Sequence, residues 1–284
     1  MVEFNLETRS FPSAIVNITN RCTLRCKHCF IFREANPNDP HREMGAQEMI
    51  DKILERKRNH GIRNMLWMGG EPLLRPDVLI EGVKHFEGNT VTTNGTLDLI
   101  DLPRTMYVVS VDGPPEINDR IRGKGAFEKV MKTLTQVPDS FKSIMMCQCV
   151  VTKENESQLE ALIPYLRDTP VEGLTFSFYV PSQNDTSSLT WGNLKARDHA
   201  VREAMRIKQK YPDFVRNHGR SLELMLSENA KAITDDCPAK RTVLPLYLEA
   251  DQFVTPYCCY GNDVDCDLCG AWIVFHLAAI MERR

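Results

Sequence analysis

As far as Val180, runs of β-forming residues alternate with segments whose apolar residues fall at helical spacing, and this alternation leaves few folds open. The strand-like runs are AIVNIT (14–19), NMLWM (64–68), NTVTT (89–93), MYVVSVD (106–112), SIMMCQCVVT (143–152) and LTFSFYV (174–180). Between them, Met49-Ile50-Ile53-Leu54, Val78-Ile80-Val83-Phe86, Phe127-Val130-Met131-Leu134 and Leu159-Leu162-Ile163-Leu166 repeat as one face of a helix does, with Asn155 placed to cap the last. Strands that alternate with helices form parallel βαβ units. Six in succession predict an α/β fold, a partial (β/α)6 TIM barrel, rather than a closed eight-fold one. The rhythm breaks at PSQNDTSS, a polar helix is expected over 191–211 with Thr190 as cap and Pro212 near its end, and the barrel is bounded at 12–213. The remainder, 214–284, reads as a small cysteine-rich C-terminal extension. It has a short helix near 221–231, a hairpin or extended segment in VLPLYLEADQFVTPYCC, and an apolar finish, AWIVFHLAAIM.

Ten cysteines are many for a chain in which disulfides are not expected. The N-terminus MVEFNLETRSFPS lacks the basic-then-apolar order of a signal peptide and no apolar run is long enough to span a bilayer, so the expected compartment is the cytoplasm. There, clustered thiols hold metals or do chemistry. The net charge of -3 gives no electrostatic case for a nucleic-acid or polybasic membrane partner. The segment CTLRCKHCF sets Cys22, Cys26 and Cys29 as C-x3-C-x2-C directly after the first strand. Three thiolates so placed can hold three corners of a cubane iron-sulfur cluster and leave the fourth iron open to a chelating ligand. The alternatives are a zinc knuckle, which would want a fourth ligand nearby, and three unrelated core cysteines.

Over residues 12–180 the sequence resembles the radical S-adenosylmethionine (radical SAM) superfamily, in particular its SPASM/twitch and molybdopterin-biosynthesis-like members. The family's second signature stands here as Gly69, Gly70, Glu71 and Pro72. Two glycines permit close backbone approach, and carbonyls with a carboxylate suit the methionine amine. TTNGTL puts Thr92, Thr93 and Asn94 at the end of the third strand, and VVSVDGPPEINDRIR puts Ser110 and Asp112 at the end of the fourth, with Arg122 beyond. The resemblance implies that Ser110 and Arg122 hold the methionine carboxylate, that strand-four residues such as Asp112 meet the ribose, and that Phe30 lies beside the adenine. An arginine fork suits a carboxylate. The implied cofactors are a [4Fe-4S] cluster and S-adenosylmethionine. The implied chemistry is reductive cleavage to a 5'-deoxyadenosyl radical, with reduced flavodoxin or ferredoxin as electron donor, followed by hydrogen abstraction or addition to an alkene.

In the extension, Cys237, Cys258, Cys259, Cys266 and Cys269 are similar in kind to SPASM or twitch cysteines and are too few for two clusters. Cys237, Cys259, Cys266 and Cys269 form the expected four-thiolate set for a second [4Fe-4S] cluster, with Cys258 as the alternative to Cys259 and structural zinc or plain thiols as the other readings. Cys147 and Cys149, two apart on a strand beside Met145, read as small core residues, and His28, His199, His218 and His276 receive no role. The expected substrate is a small molecule or lipid, with FSFYV favouring an apolar one. A peptide-modifying maturase and a non-catalytic electron carrier are the competing functions; an electron carrier has no use for Gly69-Gly70-Glu71, Ser110 and Arg122.

Overall fold

In a computed structural model that describes residues 9–33 and 43–282, every strand-like run becomes a strand. The first eight residues, read above against a signal peptide, lie outside the described residues. The strands are β1 (Ser13–Asn17), β2 (Asn64–Met68), β3 (Gly88–Thr93), β4 (Thr105–Ser110), β5 (Ile144–Val151) and β6 (Leu174–Phe178). Helix α1 (Ala46–His60) links β1 to β2 and α2 (Pro76–Gly82) leads to β3; α3 (Pro115–Arg122) and α4 (Ala126–Thr135) both lie between β4 and β5, and α5 (Ile163–Arg167) precedes β6. These strands are parallel and neighbour one another in sequence order, which is the partial barrel expected.

The sheet continues past the sixth strand. After α6 (Leu194–Lys210), α7 (Gly219–Leu224), α8 (Ser227–Asp235) and α9 (Ala239–Thr242), the expected hairpin forms as β7 (Val243–Glu249) and β8 (Gln252–Val254). Strand β7 lies parallel against β1, pairing Val243 with Ser13 and Leu246 with Val16, and so makes a seventh parallel strand. The periodicity of a hairpin says that two strands pair; it does not say which open edge they join. The last helix, α10 (Trp272–Met281), packs on α7, and no helix among the described residues is long and apolar enough to cross a membrane.

Three local expectations are corrected. Helix α6 starts at Leu194 under Asn193, whose side chain accepts from Ala196 N at 2.8 Å, while Thr190 accepts from Gly192 N in the preceding turn. Asn155 caps nothing: its oxygen accepts from Thr152 N at 2.7 Å and its amide donates to the carbonyls of Asp112 and Val150. The segment after it runs through short 3-10 turns before α5. The helix expected near 221–231 is two helices, α7 and α8.

Alternation along the central strands divides the sheet into two faces. Val91, Tyr107, Val109, Cys147, Cys149 and Val151 are buried in one core with Val78, Leu79, Val130, Leu134 and Leu162 of the connecting segments, each contributing about 1.5–3 kcal/mol relative to exposure. Cys147 and Cys149 are therefore core residues, as their spacing predicts. The alternate residues Thr92, Ser110, Gln148 and Val150 are only half-buried and line a cavity.

Candidate active site

The loop leaving β1 carries Cys22, Cys26 and Cys29, and it is fixed by the loop leaving β2. Ile18 N donates to the Met68 carbonyl, Gly70 N to that of Thr19 and Glu71 N to that of Arg21, each at 2.8–2.9 Å. A Cβ on Gly69 would stand 2.4 Å from the Thr19 carbonyl oxygen and one on Gly70 2.1 Å from that of Arg21, and Gly69 has φ +151°. The glycine pair is needed first for this backbone-to-backbone approach, and through it presents the cysteine loop. The three thiols are free, and all three line the cavity together with Gly69 and Gly70. Burial raises their pKa values, to about 11 for Cys26 even with the Arg122 guanidinium opposing it, so the metal-free thiols are protonated at neutral pH.

Glu71 does not line the cavity, contrary to its expected place facing the methionine amine. It is fully buried, accepting from Leu73 N at 3.0 Å, Thr93 Oγ1 at 2.8 Å and Asn94 N at 2.8 Å, with its pKa raised by that burial. Asn94 in turn donates to Thr23 Oγ1 at 2.9 Å and approaches Cys22 Sγ at 3.5 Å. Thr93 and Asn94 touch the cavity, but their side chains are committed to this chain of contacts between β2, β3 and the cysteine loop.

Asp112 is the second correction. It too is fully buried and absent from the cavity wall. Its Oδ2 lies 2.7 Å from Arg122 Nε and 2.6 Å from His28 Nε2, and its Oδ1 accepts from Val150 N at 2.8 Å. Burial opposes its ionisation, but Arg122 and His28 outweigh this and hold its pKa at about 2. Asp112 thus positions His28 and Arg122, which do line the cavity; Arg122 Nη1 is 3.9 Å from Cys26 Sγ. Ser110 and Phe30 line it too, Phe30 resting against Tyr260 with ring centroids 4.6 Å apart. The cavity is open to solvent and spans about 910 Å³ with the solvent space at its mouth included.

The cysteines of the extension divide. Cys237, Cys258, Cys266 and Cys269 pack with the main core, whereas Cys259 packs with Cys29, Phe30, Ile31, Met68 and Tyr247. Both members of the adjacent pair stay near the other extension thiols: Cys258 interacts electrostatically with Cys237 and Cys266, and Cys259 with Cys237 and Cys269. Among the described residues, no three Cys, His, Asp or Glu side chains in either region converge on a point that a single metal ion would occupy.

A sequence profile described as the radical SAM superfamily matches residues 16–166, more than half of the chain. The chain belongs to the radical SAM superfamily. A protein named probable GTP 3',8-cyclase from Methanocella arvoryzae is 26% identical over 276 residues, which cover 87% of this chain and 85% of that protein. The Fe-coproporphyrin III synthase of Methanosarcina barkeri is 27% identical over 179 residues, covering 58% of this chain and 43% of the synthase. An uncharacterised Archaeoglobus fulgidus protein is matched over 38% of its length, so this chain spans less than half of these last two relatives. Among solved structures, native anSMEcpe with bound AdoMet superposes with a TM-score of 0.65 over 88% of this chain and 74% of that one at 18% identity, which bears on the fold alone.

In this radical SAM chain the polar and aromatic positions on the cavity wall to which the sequence assigned no role include His28, Arg33, Gln148 and Tyr260. His28 lies inside the C-x3-C-x2-C loop, so its place in the sequence was a usable signal. Tyr260 was not legible: it reaches Phe30 only because the extension folds back across the chain.

Proposed function

We propose that this protein is a radical SAM enzyme that holds a [4Fe-4S] cluster on Cys22, Cys26 and Cys29 and binds S-adenosylmethionine in the adjoining cavity. The observation that carries the proposal is a single cavity bounded by three free thiols, the Gly69-Gly70 bend, Ser110 and Arg122. The residues fit the cluster: the thiols are not disulfide-bonded, and they face one space without converging on a single-ion site. A cluster held by Cys22, Cys26 and Cys29 and reduced by an external one-electron donor would supply the electron for cleavage of the S–C5' bond, with methionine and a 5'-deoxyadenosyl radical as products. The protein's part is orientation. Gly69 and Gly70 set the backbone beside the amino group, Arg122 and Ser110 receive the carboxylate, and Phe30, braced by Tyr260, flanks the adenine. Asp112 fixes the Arg122 fork, while Glu71 fixes the β3 exit against the cysteine loop.

A second [4Fe-4S] cluster on Cys237, Cys258, Cys266 and Cys269 is supported by the electrostatic proximity of these thiols, and a hydrogen abstraction or alkene addition on a small molecule by the apolar stretch of wall at Phe178 and Tyr179. The reduced, reconstituted protein is expected to form 5'-deoxyadenosine from S-adenosylmethionine under anaerobic conditions, and Cys26→Ala to form none. Chromatography of the quenched reaction decides it: wild type that carries its cluster and binds no S-adenosylmethionine removes the proposal.

A further inference from the structure

The cavity wall has an uneven charge. Among the described residues that line it there are two arginines and a histidine, and no aspartate or glutamate. Two of these groups are already engaged, because Arg122 and His28 both lean on Asp112 behind the wall. Arg33 is the third. It follows the cysteine loop and is nine-tenths buried, and its Nη2 donates to the Val180 carbonyl where the chain leaves β6. Its Nη1 is buried without a hydrogen-bond acceptor; Asp263 Oδ1, 3.8 Å away, is close enough to share charge and too far to accept the proton. A buried guanidinium nitrogen left unsatisfied is uncommon and calls for an acceptor. Asp263 does not line the cavity, so an acceptor arriving from within it meets the arginine and not the carboxylate. The surrounding wall is aromatic and apolar, with Phe30, Phe178, Tyr179, Val180 and Tyr260.

We infer that the substrate of this site carries an anionic group, a carboxylate or a phosphate, that seats on Arg33, with an apolar body against the aromatic wall. The inference rests on the reading that the cavity holds both S-adenosylmethionine and substrate, with Arg122 assigned to the former. It narrows the apolar substrate expected from FSFYV to an apolar acid. The unpartnered Nη1 of Arg33 can donate a charge-assisted hydrogen bond to either anion, and the pair is strengthened by exclusion of water.

Calorimetric titration of the cluster-loaded protein, with S-adenosylmethionine present, tests this with octanoate, octyl phosphate and 1-octanol as probes. At least one anion is expected to bind wild type roughly ten- to a hundred-fold more tightly than octanol. Octanoate alone marks a carboxylate site and octyl phosphate alone a phosphate site. Arg33→Met should erase the preference and Arg33→Lys should restore most of it, with iron content unchanged in both. Octanol binding as tightly as the anions overturns the inference from wild type alone, whether or not a variant folds. So does a preference that survives Arg33→Met, or one lost only together with iron, which would make Arg33 a support of the cysteine loop. S-adenosylmethionine cleavage by the same wild-type sample is read separately, so failure of the enzyme reading is distinguishable from failure at Arg33.

Discussion

Asp112 and Glu71 illustrate what a motif does and does not convey about a side chain. Both were legible as site residues, but the sequence did not reveal which way they point. By strand alternation Asp112 would share the cavity face of Ser110. Instead β4 ends at Ser110, Val111 N donates to the Gln148 carbonyl, and Asp112 N is held by Asn118 Oδ1 at 2.9 Å, which turns the carboxylate inward. There it balances a buried arginine. Asp112→Asn keeps the shape and removes the charge, leaving Arg122 uncompensated, and should cost about 3–5 kcal/mol in urea unfolding of the metal-free protein. The pH dependence has a definite sign. The folded pKa of about 2 lies below the ordinary 3.8, so the carboxylate contributes stability above pH 3.8 that is lost as pH falls towards 2. The variant should lose less stability than wild type across that window, and parallel acid-unfolding curves would return Asp112 to an unimportant position.

At the scale of elements, the strands of the barrel were legible because burial on one face forces alternation, whereas caps and junctions depend on partners distant in sequence. Helix α6 shows the difference. It was readable as a polar helix, but Arg197 within it is a fully buried cation, 2% exposed, that donates to the carbonyls of Cys269 at 2.9 Å, Leu268 at 3.2 Å and Met225 at 2.8 Å. Burial lowers its pKa to about 10, which still leaves it charged at neutral pH. Arg197 thereby ties α6 to the turn carrying Cys266 and Cys269 and to the break between α7 and α8. Arg197→Leu removes all three donors and leaves the carbonyls without them, a loss of about 2–4 kcal/mol in denaturant unfolding. It should also loosen the Cys266–Cys269 turn; if the proposed clusters form, reconstituted protein should then lose iron at the second site while retaining it at the first. An unchanged unfolding midpoint would show that water replaces the guanidinium at little cost.

Over the whole molecule, the extension is stitched onto the end of β6. Phe178 N donates to the Gly270 carbonyl at 2.8 Å, Asp265 N to that of Pro181 at 3.0 Å, and Trp272 N to Ser177 Oγ at 3.1 Å, while β7 pairs with β1 at the other side of the barrel. The segment Cys258-Cys259-Tyr260 therefore runs between the two cysteine groups. The sequence left the adjacent pair undecided, because neighbouring side chains on extended backbone point to opposite sides and either can be the inward one. Their packing differs: Cys258 lies against the main core and interacts with Cys237 and Cys266, whereas Cys259 packs with Cys29 and Phe30, interacts with Cys237 and Cys269, and accepts at its carbonyl from Tyr247 Oη at 2.7 Å. If the second cluster forms, wild type holds about eight irons per chain and Cys258→Ser should retain fully only the first cluster, about four. If Cys258 is the ligand of the pair, Cys259→Ser should keep about eight, because Cys259 packs against Cys29 and Phe30. The triple replacement of Cys22, Cys26 and Cys29 by Ala should leave about four irons and no cleavage of S-adenosylmethionine. Iron and sulfide analysis with electron paramagnetic resonance of the reduced samples reads all three, and the opposite ranking of the two serine variants would reverse the assignment of the pair.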